Sequence, residues 1–316
     1  MRPQSRCPQR MLLALLTASL VGSPSCATRL STEHRHTGPG LEAALREAME
    51  GFEGAAGVYV RHLDSGREVA IRADELFPTA SMIKVPIMLT LFDRIERGEV
   101  DYKETLVWNR KRVYAGSDIL ASFQEGEKIS IPKLVMLMQT MSDNTASLWL
   151  QELAGTGSRI NEWLSSHGFT RTRMNSRTPG RTEDWKKYGW GQTSPREMAE
   201  FLILIRKARH FSPGAADEMY RNLTRSFWND GALARIPPWI QVASKQGAVS
   251  QSRSEAFLVN APHGDYVCCV ITRDQADTSW TRNNAGATLI RHISGLLWRH
   301  FEPQSTWRPP AHEERW

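Results

Sequence analysis

Leu41, Ala44, Leu45, Ala48 and Met49 recur at helical spacing, which predicts a short amphipathic helix near the start of the folded chain. The period then shortens to that of strands at 57–63 and 67–72, with Asp64-Ser65-Gly66 between them as the turn of a hairpin. Ile83, Ile87, Leu91 and Ile95 return to one helical face, predicting a helix over 84–97 that Gly98 ends. From about 100 to 230 the chain reads as helices and loops. Within it, 131–141 is strongly apolar and opens at Pro132, 145–154 is a second helix, and Ser194-Pro195 starts a third that runs to Ile205. Residues 171–193 break the pattern: polar, rich in Arg, Gly and Trp, and without sustained period, as functional loops are. Strand patterns return at 239–247, 254–260 and 265–272, and 283–301 is a closing amphipathic helix.

Strands therefore lie at both ends of the chain with helices between. The economical arrangement is an α+β fold: one five-stranded antiparallel sheet drawn from both ends and flanked by helices, with an all-helical lobe inserted and a cleft at the junction. The domain would cover 41–302, with 41–80 and 236–302 in the sheet lobe and 81–235 in the inserted one. Residues 28–40, ending in Gly38-Pro39-Gly40, read as a linker, and the Pro-rich 303–316 as a ragged tail.

Arg2, Arg6 and Arg10 precede an 11-residue apolar run, Met11 to Val21, followed by Pro24 and Ser25-Cys26-Ala27. That is the layout of an export signal over 1–27, cut after Ala27. The run is well below the ~20 residues that span a bilayer, so no membrane span is expected. A lipid anchor on Cys26 is the less favoured alternative, since Ser23-Pro24-Ser25 is a poor lead-in. The remaining 289 residues suit one large domain or two intimately joined parts, expected to be secreted or periplasmic and monomeric. Loss of three Arg lowers the formal charge from +6 to +3, and the scattered cations argue against nucleic acid. Cys268 and Cys269 adjoin within an apolar run, and on a strand they face opposite ways, as packed small hydrophobes rather than a disulfide. No Cys/His spacing resembles a metal site, so neither metal nor cofactor is expected.

The chemistry rests on three clusters in a fixed order: Ser81-Met82-Ile83-Lys84, Ser142-Asp143-Asn144 and Lys245-Gln246-Gly247, separated by 61 and 103 residues. Ser-x-x-Lys means little alone, because Ser130-Ile131-Pro132-Lys133 matches it too, and Lys187-Tyr188-Gly189 mimics the third cluster. Context separates them. Ser81 follows Phe77-Pro78-Thr79-Ala80 at a helix start, where outward N–H groups favour developing negative charge, and Lys84 falls on the same helical face. Lys133 reads instead as a solvated first-turn residue. Together the clusters supply a nucleophile (Ser81), a base (Lys84), a proton shuttle (Ser142) and a second cation (Lys245), enough to open an amide through an acyl-serine. Asp143 would brace its loop, although helix capping is the simpler role for this triplet. Asn144 would bind the acyl-amide side chain. Lys245 with Gly247 and Arg253 would hold a substrate carboxylate, and the backbone N–H groups of Ser81 and Ala248 would form the oxyanion hole.

In these clusters the chain resembles the class A serine β-lactamases and the wider penicillin-recognising serine hydrolases, over about residues 40 to 300. Thr193-Ser194-Pro195-Arg196-Glu197-Met198-Ala199 resembles the end of that family's omega loop. The resemblance implies the two-lobed fold, a β-lactam or peptide-like substrate, and turnover of an acyl-enzyme. Two positions depart from it. If Thr172-Arg173-Met174-Asn175 opens the loop, the deacylating glutamate is replaced by Thr178, which cannot act as a general base; Glu183 and Asp184 read as solvated loop charges. Gln246 stands where the family has Thr or Ser. Acylation should survive both changes, and deacylation is the weak step. Alternative readings are a penicillin-binding protein or sensor with a stable adduct, and a D-amino-acid peptidase or esterase. Trp185, Tyr188 and Trp190 could shape specificity, but core packing is the simpler reading.

Overall fold

The computed structural model describes residues 39–116 and 119–310. The expected export segment, with Cys7 and Cys26, and the last six residues lie outside them. Helix α1 (Pro39–Met49) leads into strands β1 (Ala55–His62) and β2 (Glu68–Ile71). Pro39 and Gly40, expected as the end of a linker, thus open a helix, a position where proline's missing N–H costs nothing. Strand β3 (Phe77–Pro78) and a 3₁₀ turn, Ala80–Ile83, precede α2 (Lys84–Glu96). Next come β4 (Thr105–Val107), β5 (Lys128–Ser130), α3 (Ile131–Met136) and a π turn, Leu137–Met141. Helices α4 (Asn144–Leu153) and α5 (Thr156–Ser166) follow, then β6 (Arg173–Met174), α6 (Thr182–Tyr188) and β7 (Gly191–Thr193). Helices α7 (Pro195–Arg206) and α8 (Pro213–Leu223) lead to β8 (Val242–Val249), β9 (Ser252–Val259), β10 (Tyr266–Arg273) and the closing α9 (Ala285–Phe301).

Five strands form one antiparallel sheet in the order β2-β1-β10-β9-β8, so the two ends of the chain meet where β1 pairs with β10. Strand β8 begins at Val242 rather than at 239, because the Ile240 N–H closes a turn on the Pro237 carbonyl and Trp239 points to solvent. One face of the sheet packs against α1 and α9 through Leu45, Val58, Val270, Ile293 and Leu297. The other packs against α7 and, beyond it, α2, through Tyr59, Ile271, Phe201, Leu202 and Ile87. Cys268 belongs to the first core and Cys269 to the second; both thiols are free and buried, as alternation along a strand requires.

The inserted lobe departs in two respects from the all-helical unit read from the sequence. It carries short strand pairs, β4 with β5 and β6 with β7, and β3 extends the latter. Helix α7, assigned to that lobe by chain position, packs on the sheet instead. Helix α2 is buried without interruption from Lys84 to Phe92, so it is the lobe's central pillar rather than a surface amphipathic helix. The tail is not ragged throughout, since Trp307 packs on the α9 core and Ser305 accepts from the Trp298 indole. Among the described residues no helix is long and apolar enough to cross a membrane.

Gly57, in the middle of β1, lets Phe77 and Pro195 press onto the sheet. A Cβ there would stand 2.8 Å from the Phe77 ring and 2.9 Å from Pro195. Gly57→Ala should therefore lower the unfolding free energy by about 1–3 kcal/mol through overpacking. Denaturant unfolding checks this; a midpoint equal to the wild type would mean that the sheet yields freely there.

Candidate active site

Ser81 lies in the 3₁₀ turn that feeds α2, and Lys84 is the first residue of that helix. Three residues apart on a tight turn, the two side chains share a face: Lys84 Nζ is 3.2 Å from Ser81 Oγ. The turn is entered through Ala80 at φ +44°, a strained conformation for a residue with a Cβ. Lys84 is fully buried. Its amine also lies 2.6 Å from the Ser142 carbonyl oxygen, 3.0 Å from Ser142 Oγ and 2.8 Å from Asn144 Oδ1. Four oxygens share the three N–H bonds of an ammonium, so at least one of these contacts is bifurcated, and the Ser81 hydroxyl, the longest of them, accepts from the amine.

The helix read over 131–141 is α only to Met136, and its last turn widens into the π turn. That turn ends on Ser142 in the left-handed region, φ 60°, which points both its carbonyl and its hydroxyl at Lys84. Asp143 caps α4 by accepting from the Ala146 N–H at 2.8 Å and also accepts from the Ile119 N–H at 2.9 Å. Capping and loop bracing are thus the same carboxylate. Asn144 accepts from Lys84 and donates to the Ala115 carbonyl at 3.0 Å.

Lys245 reaches the same hydroxyl from the sheet. It lies on edge strand β8, fully buried, with Nζ 3.1 Å from Ser142 Oγ. Burial pushes its pKa down to about 7, against the pull of the Glu255 charge. Glu255, not singled out in the sequence, lies opposite Gln246 on β9, with its carboxyl held by Ser244 Oγ at 2.6 Å and the Ala232 N–H at 2.7 Å. Burial pushes it up to about 7. Its only sequence signal is an acid in a strand buried at every position. Gly247 fits β8 against the nucleophile's turn: a Cβ there would stand 2.7 Å from the Thr79 carbonyl oxygen and 3.0 Å from Ala80 Cβ.

Ser81, Asn144 and Ala248 line both arms of one crevice. The first arm, about 490 Å³, runs between Tyr114 and the Tyr188–Trp190 segment; the second, about 610 Å³, runs past Gln246 and Glu255 to Trp228 and Trp280. Arg253 lines the second arm, but three of its N–H bonds go to the carbonyls of Val249, Ser252 and Ser279, and it stacks on Trp280 at 4.5 Å. These contacts fix its guanidinium in the wall of the arm with two N–H bonds left over. Among the described residues no cluster of three His, Cys, Asp or Glu gathers as a metal site.

The sequence model of the Beta-lactamase enzyme family matches residues 40–301. The chain belongs to that family. It is a serine hydrolase of β-lactamase type. It is 33% identical over 129 residues to the β-lactamase regulatory protein BlaB of Streptomyces cacaoi, a match covering 39% of this chain and 41% of BlaB. It is 30% identical over 228 residues to a β-lactamase of Streptomyces albus G, covering 63% of this chain and 67% of that one. Among solved structures, a point mutant of PBP-A in acyl-enzyme complex with penicillin G superposes with a TM-score of 0.74 at 25% identity, covering 84% and 97% of the two chains.

Within this β-lactamase-family frame the 171–193 loop is pinned at its neck. Glu197 accepts from the N–H groups of Thr170, Arg171 and Thr172, and the Thr172 and Thr193 hydroxyls lie 2.7 Å apart. Thr178, read as the glutamate's replacement, lines neither arm. Its hydroxyl donates to the Ser176 carbonyl and packs on Gly157 of α5, where a Cβ would stand 1.7 Å away. Glu183 pairs with Lys186 and Asp184 with Arg181. The loop's aromatics divide: Trp185 is exposed, Tyr188 lines the first arm, and Trp190 both lines that arm and packs against the core, standing 5.3 Å from Tyr114 and 6.0 Å from Lys84 Nζ.

Gly247→Ala should shift the Thr79–Ala80 turn and lower the rate of Ser81 acylation about 100-fold with little change in fold, as misplacement of ~1 Å does in other sites; stopped-flow acylation with circular dichroism checks both. Glu255, raised in the folded state from 4.5 to about 7, makes the protein take up a proton on folding. The stability it contributes is present below its unfolded pKa and lost as pH rises through its folded one. Glu255→Gln should therefore gain Tm relative to wild type between pH 5 and pH 8, and a difference that stays flat with pH would refute the assignment.

Proposed function

We propose that this chain is an exported enzyme that opens a β-lactam or related amide through an acyl-Ser81 intermediate and deacylates slowly. One observation carries the reading: Lys84 Nζ lies 3.2 Å from Ser81 Oγ and 3.0 Å from Ser142 Oγ, and Lys245 Nζ lies 3.1 Å from the latter. That is a continuous proton path from nucleophile to leaving group. Lys84 takes the Ser81 proton as Oγ bonds to the carbonyl carbon. As the C–N bond breaks, Ser142 gives its proton to the leaving nitrogen and is resupplied from Lys84. Lys245, donating to the Ser142 oxygen, makes that proton easier to release. The N–H groups of Ser81 and Ala248 stabilise the oxyanion, a contribution of ~3 kcal/mol where measured. Asn144 orients the acyl side chain along the aromatic arm. The N-terminal basic and apolar segment supports export to the periplasm or medium.

Slow deacylation is supported by the chemistry of the walls. Among the described residues, the one carboxylate lining the aromatic arm is Asp274, which faces solvent beside Arg273, and in the second arm, lined by Asp230 and Glu255, the Glu255 carboxyl is taken up by Ser244 Oγ and the Ala232 N–H. General-base help to the water is worth about 10²–10⁴-fold. Without it an acyl-serine persists, which also favours the second reading, a penicillin-binding protein. The similar PBP-A variant, solved as an acyl-enzyme with penicillin G, supports adduct formation on this architecture.

Intact mass spectrometry after mixing with a fluorescent penicillin should show an adduct that accumulates and persists for minutes, and none in Ser81→Ala. Rapid turnover with no adduct would remove the slow step. Absence of label would redirect the search to peptides or esters of D-amino acids.

A further inference from the structure

Ser142 owes its direction to the peptide group that precedes it. The N–H end of the Met141–Ser142 peptide donates to the Leu137 carbonyl, which also accepts from the Asp143 N–H at 3.1 Å. Its oxygen end, the Met141 carbonyl, accepts from the Trp228 indole Nε1–H at 3.0 Å. The adjacent Thr140 carbonyl accepts from the Phe227 N–H, also at 3.0 Å. These are the last two carbonyls of the π turn, which a helix end leaves without partners of its own. Both are met from the segment between α8 and β8. There the Ser226 hydroxyl donates to the Trp228 carbonyl at 3.0 Å, and the Phe227 ring stands edge-on to the indole at 5.2 Å. With its peptide plane held at both ends, Ser142 keeps a left-handed φ of 60°, which residues with a Cβ seldom adopt. Its hydroxyl then lies 3.0 Å from Lys84 Nζ and 3.1 Å from Lys245 Nζ. One end of that plane rests on main chain. The other rests on a single side chain, that of Trp228, which also lines the second arm.

Resting on the acyl-serine reading above, we infer that Trp228 is a positioning residue: its indole N–H, through the Met141 carbonyl, aims the Ser142 hydroxyl that hands a proton to the leaving nitrogen. The nucleophile's own contact, Ser81 Oγ to Lys84 Nζ, involves neither Trp228 nor Met141, and Lys84 stays anchored on Asn144 Oδ1 at 2.8 Å. Losing the indole N–H therefore impairs breakage of the C–N bond, where Ser142 gives up its proton and is resupplied from Lys84, more than formation of the Oγ–C bond. Substrates then separate by leaving group. An amide nitrogen must be protonated as it departs, whereas a nitrophenolate departs as a stable anion and needs no proton.

The test compares benzylpenicillin with the p-nitrophenyl ester of phenylacetylglycine, which carries the same acyl side chain, on the purified protein. Stopped-flow acylation at saturating substrate gives one rate for each, and intact mass confirms the Ser81 adduct. Trp228→Phe keeps a ring in the arm and removes the N–H. It should slow benzylpenicillin about tenfold, a share of the roughly 10²–10⁴-fold that positioned proton transfer contributes, and the ester by less than about twofold. Both substrates meet the same preparation, so loss of folded protein cancels from the ratio. Ser142→Ala should move the ratio the same way and further, and adding Trp228→Phe to it should change neither rate. A ratio unmoved by Trp228→Phe overturns the inference, as does a change confined to the half-saturating concentration or one that persists undiminished in Ser142→Ala. If the wild type forms no adduct with either substrate, or the adduct survives in Ser81→Ala, the acyl-serine reading fails and takes the inference with it.

Discussion

Two buried lysine amines converge on one serine hydroxyl, and most of the architecture follows from making that arrangement tolerable. Removing an ammonium from water costs several kcal/mol unless oxygens replace the lost hydration. Here the oxygens come from Ser142, Asn144 and Gln246, on two different parts of the fold. Ser142 can serve both amines because the π turn and its own left-handed backbone aim its carbonyl and hydroxyl the same way. Such a conformation costs about 1–3 kcal/mol, which the surrounding packing must offset.

That packing comes from two rigid pieces. Helix α2, buried along its first nine residues, fixes Lys84 at its start. The sheet fixes Lys245, and its edge strand lies against the nucleophile's turn only because Gly247 has no side chain. The crevice is the seam between these pieces, so a small shift of either would separate the amines from Ser142 while leaving most of the core intact.

The departures from the family pattern act on opposite sides of Ser81. On the aromatic side, the loop presents Tyr188 and Trp190 to the crevice. On the other side, the Gln246 amide oxygen accepts from Lys245 Nζ at 3.2 Å. Neither position touches the contacts that join Lys84 to Ser81 and Ser142.

The sequence by itself determined the strand and helix order, the union of both chain ends in one sheet, and the three polar clusters, because periodicity and local spacing are properties of neighbouring residues. It also placed Cys268 and Cys269 on opposite faces, since alternation needs no tertiary information. It could not place α7 on the sheet or find the π turn before Ser142, because both are set by what packs against them. Thr178 shows the limit most plainly: its register along the loop is readable, but the direction of its side chain depends on Gly157 of α5. The fate of Arg253 and the engagement of Gln246 with Lys245 were likewise decided by tertiary structure, because which donors remain available depends on carbonyls brought near by folding.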